Sequence, residues 1–177
     1  MGETTTEAFG ARVPIAAIVG HHQSAAIAQA CNAPGLGKVT YGTSATANVN
    51  TGDAVALVAG TYPLVLQRSR GVTEYCVEGM VITAGAVMDW LAGGIGLLDN
   101  AAHSAELAAE CEDSRGVFVL PALQGLGSPH GDHTRRGLIT GLTRGTRKEH
   151  IVRAALEGIA FRVRDVLDAT DAGLDVA

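Results

Sequence analysis

Near the C-terminus, Thr146-Arg147-Lys148-Glu149 has the form of a capping box, in which a hydroxyl accepts from one early helix amide and the Glu reaches back to another. Ile151, Val152, Ala155, Leu156, Ile159, Ala160, Val163, Val166 and Leu167 follow at spacings of three and four. The pattern predicts a helix of roughly six turns, ending near Thr170, with one apolar face. That face has to be buried, so the rest of the chain must supply a layer for it. Leu174-Asp175-Val176-Ala177 then opens a possible further strand.

The layer is written as short strands. Val13–Val19 is a nearly continuous apolar run ended by Gly20, the pattern of a buried strand. Polar His21, His22 and Gln23 come next, and an Ala-rich helix runs from Gln23 to Cys31 until Asn32, Pro34 and Gly35 stop it. Lys38–Tyr41 and Thr46–Val49 pair as a hairpin interrupted by Gly42-Thr43-Ser44, with a turn at Asn50-Thr51-Gly52. Tyr62–Gln67 and Glu74–Glu78 are further short strands. Ala84–Ile95 carries Val87, Trp90, Leu91 and Ile95 at helical spacing, Asp99 caps a second helix reaching about Cys111, and Val117–Leu120 is again a strand. Pro121–Gly137 is a long irregular loop, a kind of segment that often carries function. The alternation predicts an α/β domain with a mixed sheet flanked by helices.

Composition narrows the function classes. The chain of 177 residues is 47% hydrophobic and 18% charged, enough for one domain with a real core and unlike a disordered chain. A net charge of -5 argues against a general nucleic-acid surface. No apolar window is long enough to span a membrane, and the polar start Met1-Gly2-Glu3-Thr4 is unlike a signal peptide. Cys31, Cys76 and Cys111 are odd in number and form no C-x-x-C pair, as expected of thiols in a reducing cytoplasm.

Several motifs carry chemistry, each beside a plainer alternative. Gly35-Leu36-Gly37-Lys38 suggests a phosphate loop, but Val39 stands where Ser or Thr would hold magnesium. His130, Asp132 and His133 offer three metal ligands with no fourth nearby, so solvated loop residues are the preferred reading and no metal site is assigned. Arg135, Arg136 and Arg144 could touch phosphate, though a solvated basic loop explains them. His21 and His22 follow a strand end, where ligands of open α/β sheets gather, or they are exposed imidazoles in a turn. Gly42 and Thr43 could bring an amide and a hydroxyl to a phosphate, or form a plain turn or bulge. Gly85 could open an anion-binding helix terminus, or serve close packing. Met88 and Trp90 are read as core.

In this order the pieces resemble the C-terminal domain of the FGGY family of carbohydrate kinases, most closely its glycerol-phosphorylating branch. Val13–Gly20 followed by His21-His22-Gln23-Ser24-Ala25 resembles the strand and Gly-Asp-Gln-Gln-Ala-Ala segment of that branch. Lys38-Val39-Thr40-Tyr41-Gly42-Thr43 with Asn50-Thr51-Gly52 is similar to its phosphate-contacting strand and turn. Glu78-Gly79 with Ala84-Gly85-Ala86 and Trp90 resembles the helix that follows, and Gly125-Leu126-Gly127-Ser128-Pro129 its Gly-Leu-Gly-x-Pro loop. Gly137-Leu138-Ile139-Thr140-Gly141-Leu142, with His150-Ile151 and Ala154-Ala155-Leu156-Glu157, fits the family's second signature. The resemblance covers about Gly10 to Leu167.

It implies an RNase H-like, actin-like ATPase domain, with residues 1–177 forming most of the second of two domains that close over a cleft. The first domain, and an adenosine-binding segment expected shortly after Ala177, are not in this sequence. The implied chemistry is transfer of the ATP γ-phosphoryl group, with Mg2+, to a polyol or sugar hydroxyl by a homo-oligomeric parent. The fragment alone is expected to be inactive and marginally stable or self-associating. Gly42 and Thr43 would meet the ATP phosphates, Gly85 the phosphate or ribose side, and Asp89 stands where relatives carry a nucleotide-contacting Gln. His21 occupies the place of the family's Asp general base, and His22 replaces a polyol-contacting Gln. Those two departures motivate the alternative of a nucleotide-binding or regulatory module without kinase activity. Arg12 matches a position that helps bind an inhibitory sugar bisphosphate in some relatives, but the preceding Gly-rich loop is missing and that regulation is not expected.

Overall fold

The computed structural model describes residues 2–174. Its centre is a four-stranded sheet in the order β1-β2-β4-β3, built from β1 (Gly37–Tyr41), β2 (Ala45–Gly52), β3 (Tyr62–Ser69) and β4 (Val72–Val81). Neighbours are antiparallel throughout, where the alternation predicts a mixed sheet, because the β1–β2 and β3–β4 pairs are joined by short turns and β4 returns antiparallel beside β2. Gly42-Thr43-Ser44 joins β1 to β2, and Arg70-Gly71, both at positive φ (50° and 86°), make the two-residue turn between β3 and β4. A separate two-stranded antiparallel pair, β5 (Phe118–Leu120) and β6 (Leu138–Thr140), completes the strands.

The period of two sorts the central sheet into two faces. Ala45, Ala47, Val49, Val77 and Val81 are buried apolar residues of β2 and β4, and most of them join the main core. Against them lies the long helix α5 (Lys148–Leu174), burying Val152, Ala155, Ile159, Val163 and Val166. The opposite face carries Lys38, Asn48, Asn50, Cys76 and Glu78, and meets the helix α2 (His21–Ala28) through a small cluster of Ala26, Cys31, Leu66 and Cys76. A short helix α1 (Thr6–Phe9) precedes α2.

Three expectations need correction. First, Val13–Val19 is not a buried strand: Ile18 is 82% exposed, and the region makes only an isolated bridge between Glu3 and Pro14. Residues 16–20 and residues 65–70 line one groove of about 1000 Å³, and none of the described hydrogen bonds joins the apolar run to the β3 edge.

Second, the long helix starts and ends elsewhere. The Thr146 hydroxyl accepts from the Thr143 amide at 2.8 Å instead of capping, and Glu149 pairs with the Arg147 guanidinium at 2.6 Å. The back-reaching acceptor is His150, whose Nδ1 takes the Arg147 amide at 3.0 Å. At its other end the helix passes Thr170 and includes Leu174, because Gly173 lets it approach Val58, whose Cγ1 would lie 2.6 Å from any added Cβ. The strand expected at 174–177 is thus helical at Leu174, and its other residues lie outside the described ones. His150 is 1% exposed, so His150→Ala removes an acceptor and leaves a hole. The expected loss is about 2 kcal/mol or more, read from chemical denaturation.

Third, Ala84–Ile95 is broken into α3 (Gly85–Asp89) and a π turn at Trp90–Gly94, where the Trp90 ring lies over Gly94. Asn100, not Asp99, caps the next segment by accepting from the Ala102 amide. That segment is a 3-10 turn followed by the short helix α4 (Ser104–Ala108).

Candidate functional site

The Gly42-Thr43-Ser44 turn is stapled to the start of α3. The amides of Ala84 and Ala86 donate to the Thr43 carbonyl at 2.9 and 3.1 Å, and the Gly85 amide donates to the Gly42 carbonyl at 2.8 Å. The free donors anticipated at Gly85 are therefore engaged by the turn. Gly85 allows this approach because a Cβ there would lie 2.6 Å from the Gly42 oxygen. Among the described hydrogen bonds, neither the amide nor the hydroxyl of exposed Thr43 has a partner. Beside the turn is a largely apolar cavity of about 430 Å³, with Tyr41, Gly42, Gly85, Met88, Leu156 and Ile159 in its wall. Asp89 is exposed at the end of α3, outside that wall.

The second cluster lies under the N-terminus of α2. Lys38, Asn48 and Glu78 stand in register across β1, β2 and β4, with side chains on one face. Glu78 Oε2 is 3.1 Å from His22 Nδ1 and accepts from Asn48 Nδ2 at 2.8 Å. Asn48 is 2% exposed and its Oδ1 is buried without a partner among the described residues. Lys38 is 6% exposed and donates to the Thr40 hydroxyl at 2.6 Å. Burial pushes its amine below the ordinary lysine value, and the Glu78 carboxylate opposes that shift. The His21 ring packs edge-on against His22, with centroids 4.0 Å apart, and has no hydrogen bond of its own among the described residues.

Burial, reinforced by Glu78, pushes the Cys76 thiol up to about 11. A thiol so raised stays protonated near neutrality, and the thiolate is the reactive form. At pH 8, iodoacetamide is expected to label the partly exposed Cys111 well before Cys76, as peptide mass mapping would show.

The turn and the His pair match the order in which the sequence presents them, but Glu78 and Asn48 were missed as partners of His22. Their signal was alternation: each lies on the polar face of a strand whose other face is apolar. In the 121–137 loop, Asp132 accepts from the Thr134 hydroxyl at 2.6 Å and amide at 2.9 Å, and pairs with Arg135 at 2.9 Å. Arg136 donates to the carbonyls of His133, Thr134 and Arg135. These groups satisfy one another within the loop, and the described residues contain no cluster of three or more His, Cys, Asp or Glu arranged to hold a metal. The Thr134 bonds, then Arg135, lower the Asp132 carboxyl to about 2. A depressed carboxyl keeps its bonds above the ordinary carboxylate range and loses them as pH falls through its folded value. The Thr134 amide is expected to stay protected from hydrogen exchange at pH 4 and to lose protection near pH 2.

A glycine turn is thus bonded to a helix start and faces an apolar cavity under a long helix. The profile of the FGGY family of carbohydrate kinases, C-terminal domain, matches residues 37–176, and the chain belongs to that family. Its α/β fold is that family's actin-like ATPase fold. Among similar proteins, glycerol kinase of Rhodopirellula baltica is 45% identical over 169 residues, covering 95% of this chain and 31% of that protein. Glycerol kinase of Xanthomonas euvesicatoria is 45% identical over 179 residues, covering 99% and 36%. The crystal structure of Plasmodium falciparum glycerol kinase with ADP superimposes with a TM-score of 0.86 at 33% identity, covering 93% of this chain and 33% of that one. The chain thus spans about a third of the length of its relatives. No helix among the described residues is long and apolar enough to cross a membrane.

Proposed function

We propose that this chain is most of the second domain of an ATP-dependent carbohydrate kinase that transfers the γ-phosphoryl group to a primary hydroxyl of glycerol or a related polyol. The observation that carries the reading is the Gly42-Thr43 turn, held rigidly by α3 with the Thr43 amide and hydroxyl unengaged, beside an apolar cavity. Such donors suit phosphate oxygens, and an apolar slot suits a nucleoside. Gly42 and Thr43 would take the phosphates, and Gly85 would act by fixing that turn. Asp89 would sit at the cavity's outer end. His21 and His22 would face the acceptor alcohol, roughly 10 Å along β2 from the turn. Similarity to glycerol kinases supports this reading over a module without activity.

Phosphoryl transfer is catalysed mainly by positioning and charge stabilisation. Mg2+ would accompany the ATP phosphates, and because the wall of this cavity offers no carboxylate, its carboxylate ligands would come from elsewhere in the full-length protein. The first kinase domain is the expected partner, and a homo-oligomer of the full-length protein is part of the reading. Three unpaired thiols suit a cytoplasmic protein. The test is phosphorylation by the full-length protein with ATP against glycerol and a panel of polyols and pentoses. Turnover of glycerol above the rest is expected, and no turnover with any alcohol would overturn the reading.

A further inference from the structure

We propose that Glu78 fixes His22 in the Nδ1–H tautomer and that the Nε2 lone pair so presented accepts the proton of the substrate hydroxyl; this rests on the kinase reading above. An ionised carboxylate only accepts hydrogen bonds, so the contact at 3.1 Å requires the proton on Nδ1. The second partner of the same oxygen, Asn48 Nδ2 at 2.8 Å, keeps the carboxylate from turning away. Asn48 is buried in β2 and Glu78 stands opposite it in β4, so the pair is set by the sheet and not by a loop. His22 and Glu78 remain partly open, with side chains 27% and 17% exposed, so the ring is reachable from solvent.

His21, which the family resemblance places where an acid is expected, lacks all of this. Its ring is backed only by the edge of His22. An imidazole with a carboxylate behind it can take a proton at one nitrogen while the carboxylate stabilises the resulting cation, and an unsupported ring cannot do so as well. In the step itself, the substrate oxygen forms its bond to the γ-phosphorus as its proton moves to His22 Nε2. The bond from that phosphorus to the β–γ bridging oxygen breaks and ADP leaves. The proton on Nε2 later passes to water. Glu78 touches no reacting atom and is a positioning residue.

The test uses the full-length protein with ATP and glycerol. H22Q keeps a polar side chain that cannot take a proton, and is expected to lower kcat about 100-fold while the KM for ATP stays within about threefold. E78Q keeps an acceptor for His22 and Asn48 but loses the charge. It is expected to lower kcat at least about tenfold with the same unchanged KM for ATP, whereas a purely structural Glu78 would tolerate it. H21A is expected to cost at least about tenfold less than H22Q. A larger loss in H21A than in H22Q, or full activity in E78Q, would overturn the proposal. Independently of any variant's folding, nitrogen-15 spectra of the histidine-labelled wild type should show His22 as the Nδ1–H tautomer, and an Nε2–H ring would overturn the Glu78 role. A wild type that phosphorylates no alcohol would overturn the kinase reading together with the acceptor role, whereas an active wild type with the wrong order of losses would overturn this proposal alone.

Discussion

Gly85→Ala in the full-length protein is expected to lower kcat/KM for ATP about 100-fold. The added Cβ would lie 2.6 Å from the Gly42 oxygen and 3.2 Å from its carbonyl carbon. Both are backbone atoms, so no side-chain rotation relieves the clash, and either the turn or α3 must move. Movement breaks the Gly85 to Gly42 hydrogen bond and loosens those from Ala84 and Ala86 to Thr43. A displacement of about 1 Å in a group that positions phosphate is enough for a loss of that order. The change should appear in the KM for ATP and in calorimetric nucleotide affinity, with stability lowered by about 1–3 kcal/mol. Unaltered ATP affinity would mean that the turn does not face the phosphates.

A large stability effect is expected at Gly158. In an exposed helix interior, Gly to Ala stabilises by about 1 kcal/mol. Here the sign reverses: the Cβ would sit 2.2 Å from the Val119 carbonyl oxygen of β5, so α5 has to lift off the strand it covers. Gly158→Ala is expected to lower stability by about 3 kcal/mol, measured by denaturant unfolding. Gly93→Ala is the control, because nothing lies within 4 Å of its added Cβ, and it should be neutral or stabilise by up to about 1 kcal/mol. A stabilised Gly158→Ala would mean that α5 and β5 are not packed this closely.

Much of this architecture was legible because it follows local rules. The stripe from Ile151 to Leu167 has the helical period, and Lys38–Tyr41 with Thr46–Val49 has the period and turn of a hairpin, observed as β1 and β2. The family resemblance rested on runs such as Tyr41-Gly42-Thr43 and Gly137–Leu142, and the profile match over 37–176 agrees with it. Two of the failures come down to hydrogen-bond partners, one to a competing partner and one to a missing partner. Thr146 has the form of a cap, but the Thr143 amide claims its hydroxyl and His150 takes over the cap. Val13–Val19 has a strand's composition, yet a strand forms only where another offers its amides and carbonyls.

The candidate site divides along the same line. From sequence alone came the residue types and their order: two histidines after an apolar run, a Gly-Thr turn inside a hairpin, and a glycine opening a helix. Each is a property of neighbours in the chain, and hydrophobic period and turn chemistry are short-range. Only the tertiary structure decided that Gly85 serves the Gly42–Thr43 turn through its missing Cβ, and that Glu78, 56 residues away, holds the ring of His22. Those pairings depend on strand register, where a shift of one residue would turn Asn48 and Glu78 to the opposite face, and register is set by how whole faces bury against α5 and α2.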